Sequence, residues 1–486
     1  MFEDLLYSVN LTTVFVFFLV LLFVYYITKP PTDIPPFPKP VLPIFGNLLS
    51  LVNKDILEYF RNLQNEYGDI YSFYMGSQLM IVINGYSAIK EALVQNGRLF
   101  SDRPTNFMSE ILNEKSGIIF TSGDKWKEHR RFAVTALHEF GFGSASFEQN
   151  ILEEAQELVK IFEEQNDQPF QTKGIVNICV INVISQILVG KRFKHTDDNF
   201  RDHIDKLIKG ATLLGNYFPG DPLKMRYVKE ISKQMKRWYE SMVLEHKNSF
   251  EEGSARDYID LYISKARSKE KEGKLSTFSD TQLYISIGDL LIAGNLTTAA
   301  CIQWTLLHFL HFPEIQKKCF EDINQVVGRE RLPNVKDKEH LPYLEATIME
   351  VMRVYPLSPL ALPHSVTKEV LFRGYRIPKG ATVLINLDSV LRDPSTFKDP
   401  DVFRPERYLD ADGHITKPEE YIPFSIGRRM CIGESVARME IFLFLAALIQ
   451  RFEFLPVEGE RLPERRGILG IIHSPVPFLI RAVRRS

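Results

Sequence analysis

Phe424-Ser425-Ile426-Gly427-Arg428-Arg429-Met430-Cys431-Ile432-Gly433 sets a single cysteine between glycines, directly after two arginines. Glu434-Ser435-Val436-Ala437-Arg438-Met439-Glu440 follows and reads as the start of a helix. A thiolate needs positive surroundings to stay ionised, and a helix N-terminus beside arginines supplies them. Gly427 and Gly433 permit a sharp backbone turn, or the close approach of something flat. A lone cysteine near glycines is most often a small buried hydrophobe. The full spacing F-S-x-G-x-R-x-C-x-G is far more specific than that, so the rest of the chain has to be weighed against it.

A chain of 486 residues exceeds one small core, although length alone does not separate two domains from one large one. Its 45% hydrophobic and 25% charged residues are those of a globular protein. A net charge of -2 gives no reason to invoke nucleic acid. The 35 phenylalanines suit a large apolar interior or pocket. The four cysteines, Cys179, Cys301, Cys319 and Cys431, contain no C-x-x-C pair and fit neither a zinc site nor a disulfide framework. That points to a reducing compartment and leaves Cys431 free for a ligand role.

Outward from the loop, the N-terminus is the most distinctive region. Residues 5–28 carry no charge, and at about 1.5 Å per residue they are long enough for a bilayer core of roughly 30 Å. The acidic start (Glu3, Asp4) and the lack of a small-residue cleavage site argue against a cleaved signal peptide. Lys29 and Lys39 follow the span, so the positive-inside rule puts the bulk of the chain in the cytosol. Residues 30–40 hold six prolines, which forbid a helix and favour stiff polyproline extension. The expected organisation is a membrane anchor over 1–28, a proline-rich hinge over 29–47 and a globular body over 48–486.

Within the body, residues 70–75 and 79–83 predict a β-hairpin joined by Gly76-Ser77-Gln78. Thr121-Ser122-Gly123-Asp124 reads as a turn opening a helix, with Trp126 and Arg130 one turn apart on one face. Residues 146–265 predict a succession of amphipathic helices, broken at 193–198 and 217–222. Leu213, Leu214, Tyr217 and Phe218 at the second break suit either core or a lipid-facing cover. The charged run 265–274 reads as a solvated loop. Ser279-Asp280-Thr281-Gln282 matches a capping box, and no proline then interrupts the chain until Pro313. A helix over 280–312 would run about 50 Å, apolar nearly all round at its middle and therefore buried. It contains Ala293-Gly294-Asn295-Leu296-Thr297-Thr298, where small residues leave room for a ligand beside a threonine pair. Glu350 and Arg353 fall at i, i+3 in a later helical run, and Phe403-Arg404-Pro405-Glu406-Arg407 follows. Residues 371–375 and 382–385 read as strands, with Pro378-Lys379-Gly380 as a turn. The tail 467–473 reads as an apolar β-turn tip.

Anchor, proline hinge, W-x-x-x-R, long central helix, E-x-x-R, F-x-P-E-R and the cysteine loop stand in one order. Together they resemble the cytochrome P-450 family, and the resemblance covers essentially the whole chain. Trp126-Lys127-Glu128-His129-Arg130-Arg131-Phe132 is similar to the tryptophan helix of its vertebrate and arthropod microsomal members. The resemblance implies a mainly α fold with small β sheets and an N-terminal transmembrane anchor. It implies haem b as cofactor, with the Cys431 thiolate as axial iron ligand and metal site, donating electron density that favours O–O cleavage. Arg103, Trp126, Arg130, His364 and Arg429 would hold the haem propionates, as hydrogen-bond donors suited to carboxylates. Thr297 would order proton delivery as the catalytic residue. Glu350, Arg353 and Arg407 would form a structural lock. Where the family pattern has an acid before this threonine, the chain has Leu296, so carboxyl delivery of protons is lost at that position.

The implied reaction is monooxygenation: one oxygen atom of O2 enters an apolar small molecule and the other leaves as water. No flavin or nicotinamide motif is present, so electrons come from outside, from NADPH through cytochrome P-450 reductase, with cytochrome b5 as a second donor. Lys125, Lys127, Arg130, Arg131 and Arg428 form a cationic face suited to an acidic flavoprotein. The implied setting is the endoplasmic reticulum membrane, with the catalytic body in the cytosol. Two alternatives differ in class: a haem-thiolate isomerase or dehydratase acting on a peroxide without reductase, and a non-catalytic haem-binding protein. Phe107, Ile118, Ile119, Leu214, Phe218, Leu360, Leu362 and Ile471 are the expected apolar pocket residues. They admit a fatty acid, terpenoid, steroid or xenobiotic.

Overall fold

The computed structural model describes residues 11–27, 33–42, 44–51, 54–105, 110, 113–142, 144–215, 222–273 and 276–485. Leu11–Ile27 forms helix α1. Most of its described side chains are exposed, with Phe15, Phe18 and Phe23 each more than half exposed. Strands β1 (Ile70–Met75) and β2 (Gln78–Ile83) pair antiparallel as expected, Phe73 opposite Met80. Gly76 takes the turn at φ 64°, a conformation that costs a residue without Cβ little.

The body of the protein is built on helices. They include α2 (Gly123–Glu139), α3 (Ile175–Val189), α4 (Pro222–Asn248), α5 (Asp280–His311), α6 (Pro342–Val354) and α7 (Glu434–Arg451). The small four-stranded sheet is completed by β3 (His364–Ser365) and β4 (Thr382–Ile385), in the order β1-β2-β4-β3. β4 runs parallel to β2, with Ile83 opposite Ile385, and β3 is antiparallel to β4. Alternation along these strands feeds two aromatic and aliphatic clusters, one around Phe100 and Ile377 and one around Phe60 and Phe73. The main core lies among the helices, where α5 packs along α3 and α7.

α5 is apolar by composition and length to the degree a membrane span would be, yet it is mostly buried inside the protein. Its burial follows from Leu283, Ile287, Leu291, Ala299, Ile302, Trp304 and Leu306, which occupy every side of the helix. The cap is half of the expected box. Ser279 accepts from the Gln282 N–H, but the Gln282 side chain does not return to Ser279. Its amide instead donates to Gly117 O and accepts from Gly117 N–H, at 2.9 and 3.0 Å.

Four further expectations are corrected. α3 is buried on all faces, not amphipathic, because it fills the space between α5 and the helix Ala145–Glu163. The charged run from 265 is helical as far as Lys271, since Asp257 caps the helix Tyr258–Lys271 and its charged end is solvated. Residues 371–375 are not one strand: Arg373 and Gly374 turn at φ 48° and 86° between short strands Val370–Phe372 and Tyr375–Ile377. Leu360 is not in the pocket and packs against the cluster around Phe60. Phe107, Tyr217 and Phe218, and the Leu214 side chain, lie outside the described residues.

Candidate active site

The cysteine loop is folded by its own backbone against the helical body. Ser425 N–H donates to Ile422 O, Met430 N–H to Gly427 O and Cys431 N–H to Phe424 O. Gly427 sits at φ 78°, and a Cβ there would meet Leu93 O at 2.2 Å. It is glycine because another backbone passes directly behind it. Gly433 has an ordinary φ of -99° and leads into α7. Its value is space: a Cβ would stand 4.0 Å from the Cys431 sulfur.

Cys431 opens onto a cavity of about 430 Å³ that α2, α4, α5 and the loop enclose. Arg103, Trp126, Arg130, Thr297, His364 and Arg429 all line it with Cys431, so residues spread over more than 300 positions converge. The three arginines are anchored through backbone oxygens. Arg429 donates to Ser101 O, Thr121 O and Ile118 O. Arg103 donates to Ile119 O, Leu362 O and Pro363 O, and Arg130 to Met430 O. Arg429 lies 3.7 Å over the Trp126 ring. Trp126 is 3% exposed and its indole N–H has no partner.

Among the described residues none of these three guanidiniums has a salt bridge, and Asp102 acts on Arg429 only as a minor charge. Among the described residues the cavity's carboxyls are Asp289 and Glu440, and neither pairs with an arginine. Burial, then Arg103 and Arg130, pushes Arg429 down to about 8. Burial and Arg130 push Arg103 down to about 10. Burial and Arg103 pull His364 down to about 3, with its Nδ1–H donated to Phe100 O at 2.7 Å. A buried cation without a counter-charge is costly. The pocket therefore calls for anionic groups, and an indole N–H with nothing to donate to calls for an acceptor. The two carboxylates of a haem satisfy both demands, and the residues present fit the group.

The expected electrostatics of Cys431 needs correction. Burial raises its thiol above the ordinary value, and the Gly433 N–H and Arg130 offset this only in part, against Glu434. The arginine pair and the helix end do not ionise the sulfur by themselves. A coordinated metal cation does, since a coordinating thiol is deprotonated outright.

Thr297 faces the cavity and donates to Ala293 O at 2.7 Å. Leu296 is buried on another side of α5, with Asn177, Ala211 and Ile472. Asn295 also turns away, accepting from Asn177 Nδ2 at 3.0 Å. Restoring an acid at 296 would thus place it in that packing, off the cavity. The carboxyl that does reach the cavity near the threonines is Glu440 on α7, which accepts from Thr298 Oγ1 at 3.3 Å. Burial pushes its carboxyl well above the ordinary value, and the bond from Thr298 acts the other way. Local pattern did not single it out, because its partner lies 142 residues away.

Asp289 was also missed. It is buried, and its Oδ2 accepts from Ile118 N–H and Ile119 N–H at 2.7 and 2.9 Å while Asn113 Nδ2 donates to Oδ1. With Gln282, seven residues earlier on the same face of α5, it fastens residues 117–119 over the cavity. Burial raises the Asp289 carboxyl to about 7, the Ile119 and Ile118 N–H bonds acting the other way. The unfolded chain loses this proton near pH 4. This group's contribution to stability is therefore full below about pH 4 and is lost as pH rises through about 7. Asp289→Asn lacks that titration. The melting temperature of the wild type minus that of the variant should fall steadily from about pH 5 to pH 8; a pH-independent difference contradicts the assignment.

The expected cationic face is only partly a face. Arg130 turns inward to the cavity, the Lys125 ammonium donates to Lys115 O and Ser116 Oγ, and Lys127 pairs with Asp124. Lys127 and Arg428 line a surface hollow with Arg98, which the sequence reading did not include.

Ile118, Ile119, Leu362 and Ile471 line the cavity as expected. The "Cytochrome P450" family model matches residues 35–481. The chain is 35% identical to Cytochrome P450 2U1 of Mus musculus, over 93% of this chain and 91% of that protein. It is 37% identical to Cytochrome P450 2C23 of Rattus norvegicus, over 93% and 94%. With Cytochrome P450 2B12 of Rattus norvegicus it shares 34% identity over 96% and 97%. Members of this family bind haem through a cysteine thiolate. The chain belongs to the cytochrome P450 family, and it is a haem-dependent monooxygenase.

Proposed function

We propose that this enzyme inserts one oxygen atom of O2 into an apolar small molecule, with electrons from NADPH delivered by a flavoprotein reductase. The observation that carries the site assignment is the convergence of three uncompensated guanidiniums and an unpartnered indole N–H beside Cys431. In this reading Cys431 ligates the iron, and Arg103, Trp126, Arg130, His364 and Arg429 hold the carboxylates. When bound, the haem supplies the activation of dioxygen. Thr297, whose own proton is committed to Ala293 O, offers its oxygen to a water and so positions a proton at the cavity wall. Glu440, which accepts from Thr298, is the second group placed to exchange a proton next to it. Apolar walls at Ile118, Leu290 and Ile471 exclude bulk water.

Residues 1–28 form the anchor, 29–47 the hinge and 48–486 the catalytic body, at the endoplasmic reticulum and facing the cytosol. The exposed apolar side chains of α1, Phe15, Phe18 and Phe23 among them, support the anchor, since lipid is the solvent that suits them. The hollow of Arg98, Lys127 and Arg428 is the cationic contact for an acidic reductase, with cytochrome b5 as an alternative donor.

The test is spectral and kinetic. The reduced protein should give the carbon monoxide difference band of a haem thiolate, and product should form only with NADPH and reductase. Turnover with a hydroperoxide alone, indifferent to NADPH, would establish the isomerase or dehydratase reading instead. A thiolate band with no turnover of either kind would leave a haem-binding protein. Thr297→Ala should retain NADPH consumption while product per NADPH drops several-fold; unchanged coupling removes Thr297 from the proton path.

A further inference from the structure

The cavity is apolar along most of its wall, but one end is polar. Tyr239 on α4 is 5% exposed, lines the cavity and has no partner for its hydroxyl among the described residues. Its ring is seated by Gly288 of α5, where a Cβ would come within 2.8 Å of the ring carbon Cε2 and 3.4 Å of the hydroxyl oxygen. Asp289 is the next residue, and Asn113 joins it at the same end. An unpaired buried hydroxyl costs free energy that a ligand recovers by bonding to it. From Gly288 and Asp289 to Thr297 is eight to nine residues of one helix, about 12–14 Å.

We infer that Tyr239 is a substrate-recognition residue, and that the substrate is a long, neutral amphiphile. Its carbonyl or hydroxyl oxygen accepts from the Tyr239 hydroxyl, and its hydrocarbon chain runs along α5 to the reaction site beside Thr297. This deepens the proposed monooxygenase reading and rests on it. The head group is neutral because that end, among the described residues, offers a carboxylate no free cation. Lys236, the lysine lining that end, is already paired with Glu114. The other cations lining the cavity among the described residues, Arg103, Arg130 and Arg429, cluster beside Cys431 with their backbone anchors. The helix acts as a ruler: at bond lengths near 1.5 Å, an extended chain of about ten carbons covers the distance.

The test uses the haem-loaded enzyme and three series matched in heavy-atom count: fatty-acid methyl esters, the free acids above their pKa, and n-alkanes. Affinity is read from the substrate-induced shift of the haem absorption, and product position from mass spectrometry. The ester should bind about tenfold tighter than the alkane, as one neutral hydrogen bond allows, and tighter than the acid. Oxidation should fall about eight to ten carbons from the carbonyl. Tyr239→Phe, which removes one oxygen and keeps the ring, should collapse the ester-to-alkane ratio to near one. Equal binding of ester and alkane, tighter binding of the acid, or an undiminished ratio in Tyr239→Phe overturns the inference while leaving the monooxygenase reading intact. No spectral shift and no product with any series overturns both.

Discussion

Cys431→Ala eliminates the thiolate band and NADPH-dependent product formation together, with the fold retained. The sulfur looks into the cavity and is not part of the hydrophobic core cluster. The loop around it is held by the backbone bonds of Ser425, Met430 and Cys431 itself, which alanine keeps. No other thiol can substitute. Cys179, Cys301 and Cys319 are buried and do not line the cavity, and burial raises each of them far from ionisation. The loss should therefore be complete. Far-ultraviolet circular dichroism of the variant should match the wild type. A surviving thiolate band would sink the assignment of Cys431 as ligand.

Glu350→Ala has the second large effect, and it acts on stability. Glu350 and Arg353 are both 0% exposed. The carboxylate accepts from Arg353 Nε and Nη2 at 2.8 and 2.9 Å, from Arg407 Nε at 3.0 Å, and from Arg404 N–H at 2.9 Å. Arg353 spends its remaining donors on Leu391 O and Pro400 O, and Arg407 reaches Lys398 O and Val402 O. One carboxylate thus ties α6 to the segment 398–407. Its removal leaves a guanidinium with no solvent and no counter-charge. Breaking a buried pair in this way costs about 3–5 kcal/mol, enough to lower the melting temperature of a chain this long by roughly 3–5 °C. Tyr421, whose hydroxyl donates to Met349 O on α6, connects the same region to the cysteine loop, so haem retention should weaken as well. Arg407→Ala should cost less, because Glu350 keeps Arg353. Equal melting temperatures for Glu350→Ala and wild type would show that the lock is not structural.

What the sequence made legible were features that local pattern carries. The spacing around Cys431, the helical phase of Trp126 and Arg130, and the E-x-x-R and P-E-R segments all find one another in three dimensions. Strand alternation located the hairpin 70–83 and proline punctuation located the end of α5. What stayed hidden depended on partners far along the chain. Arg130 shares a helical face with Trp126, but periodicity does not say that this face turns inward. Asp289 and Glu440 look like ordinary acids on apolar helices until Ile118, Ile119 and Thr298 are placed against them. Gln282 fitted a capping box well, yet its amide found a better pairing with both backbone groups of Gly117. The stretch 371–375 has strand composition, and only the left-handed turn at Arg373 and Gly374 divides it.

The clamp of Gln282 and Asp289 on residues 117–119 has a wider consequence. The wall segment that meets the substrate and the hydroxyl of Thr297 are carried by one rigid rod. A substitution that widens the cavity through 117–119 also perturbs the register of that rod, and with it the geometry at Thr297. On the function proposed above, breadth of substrate acceptance and economy of reductant are therefore not separately adjustable, and variants selected for new substrates through this segment should waste more NADPH for each molecule they oxidise.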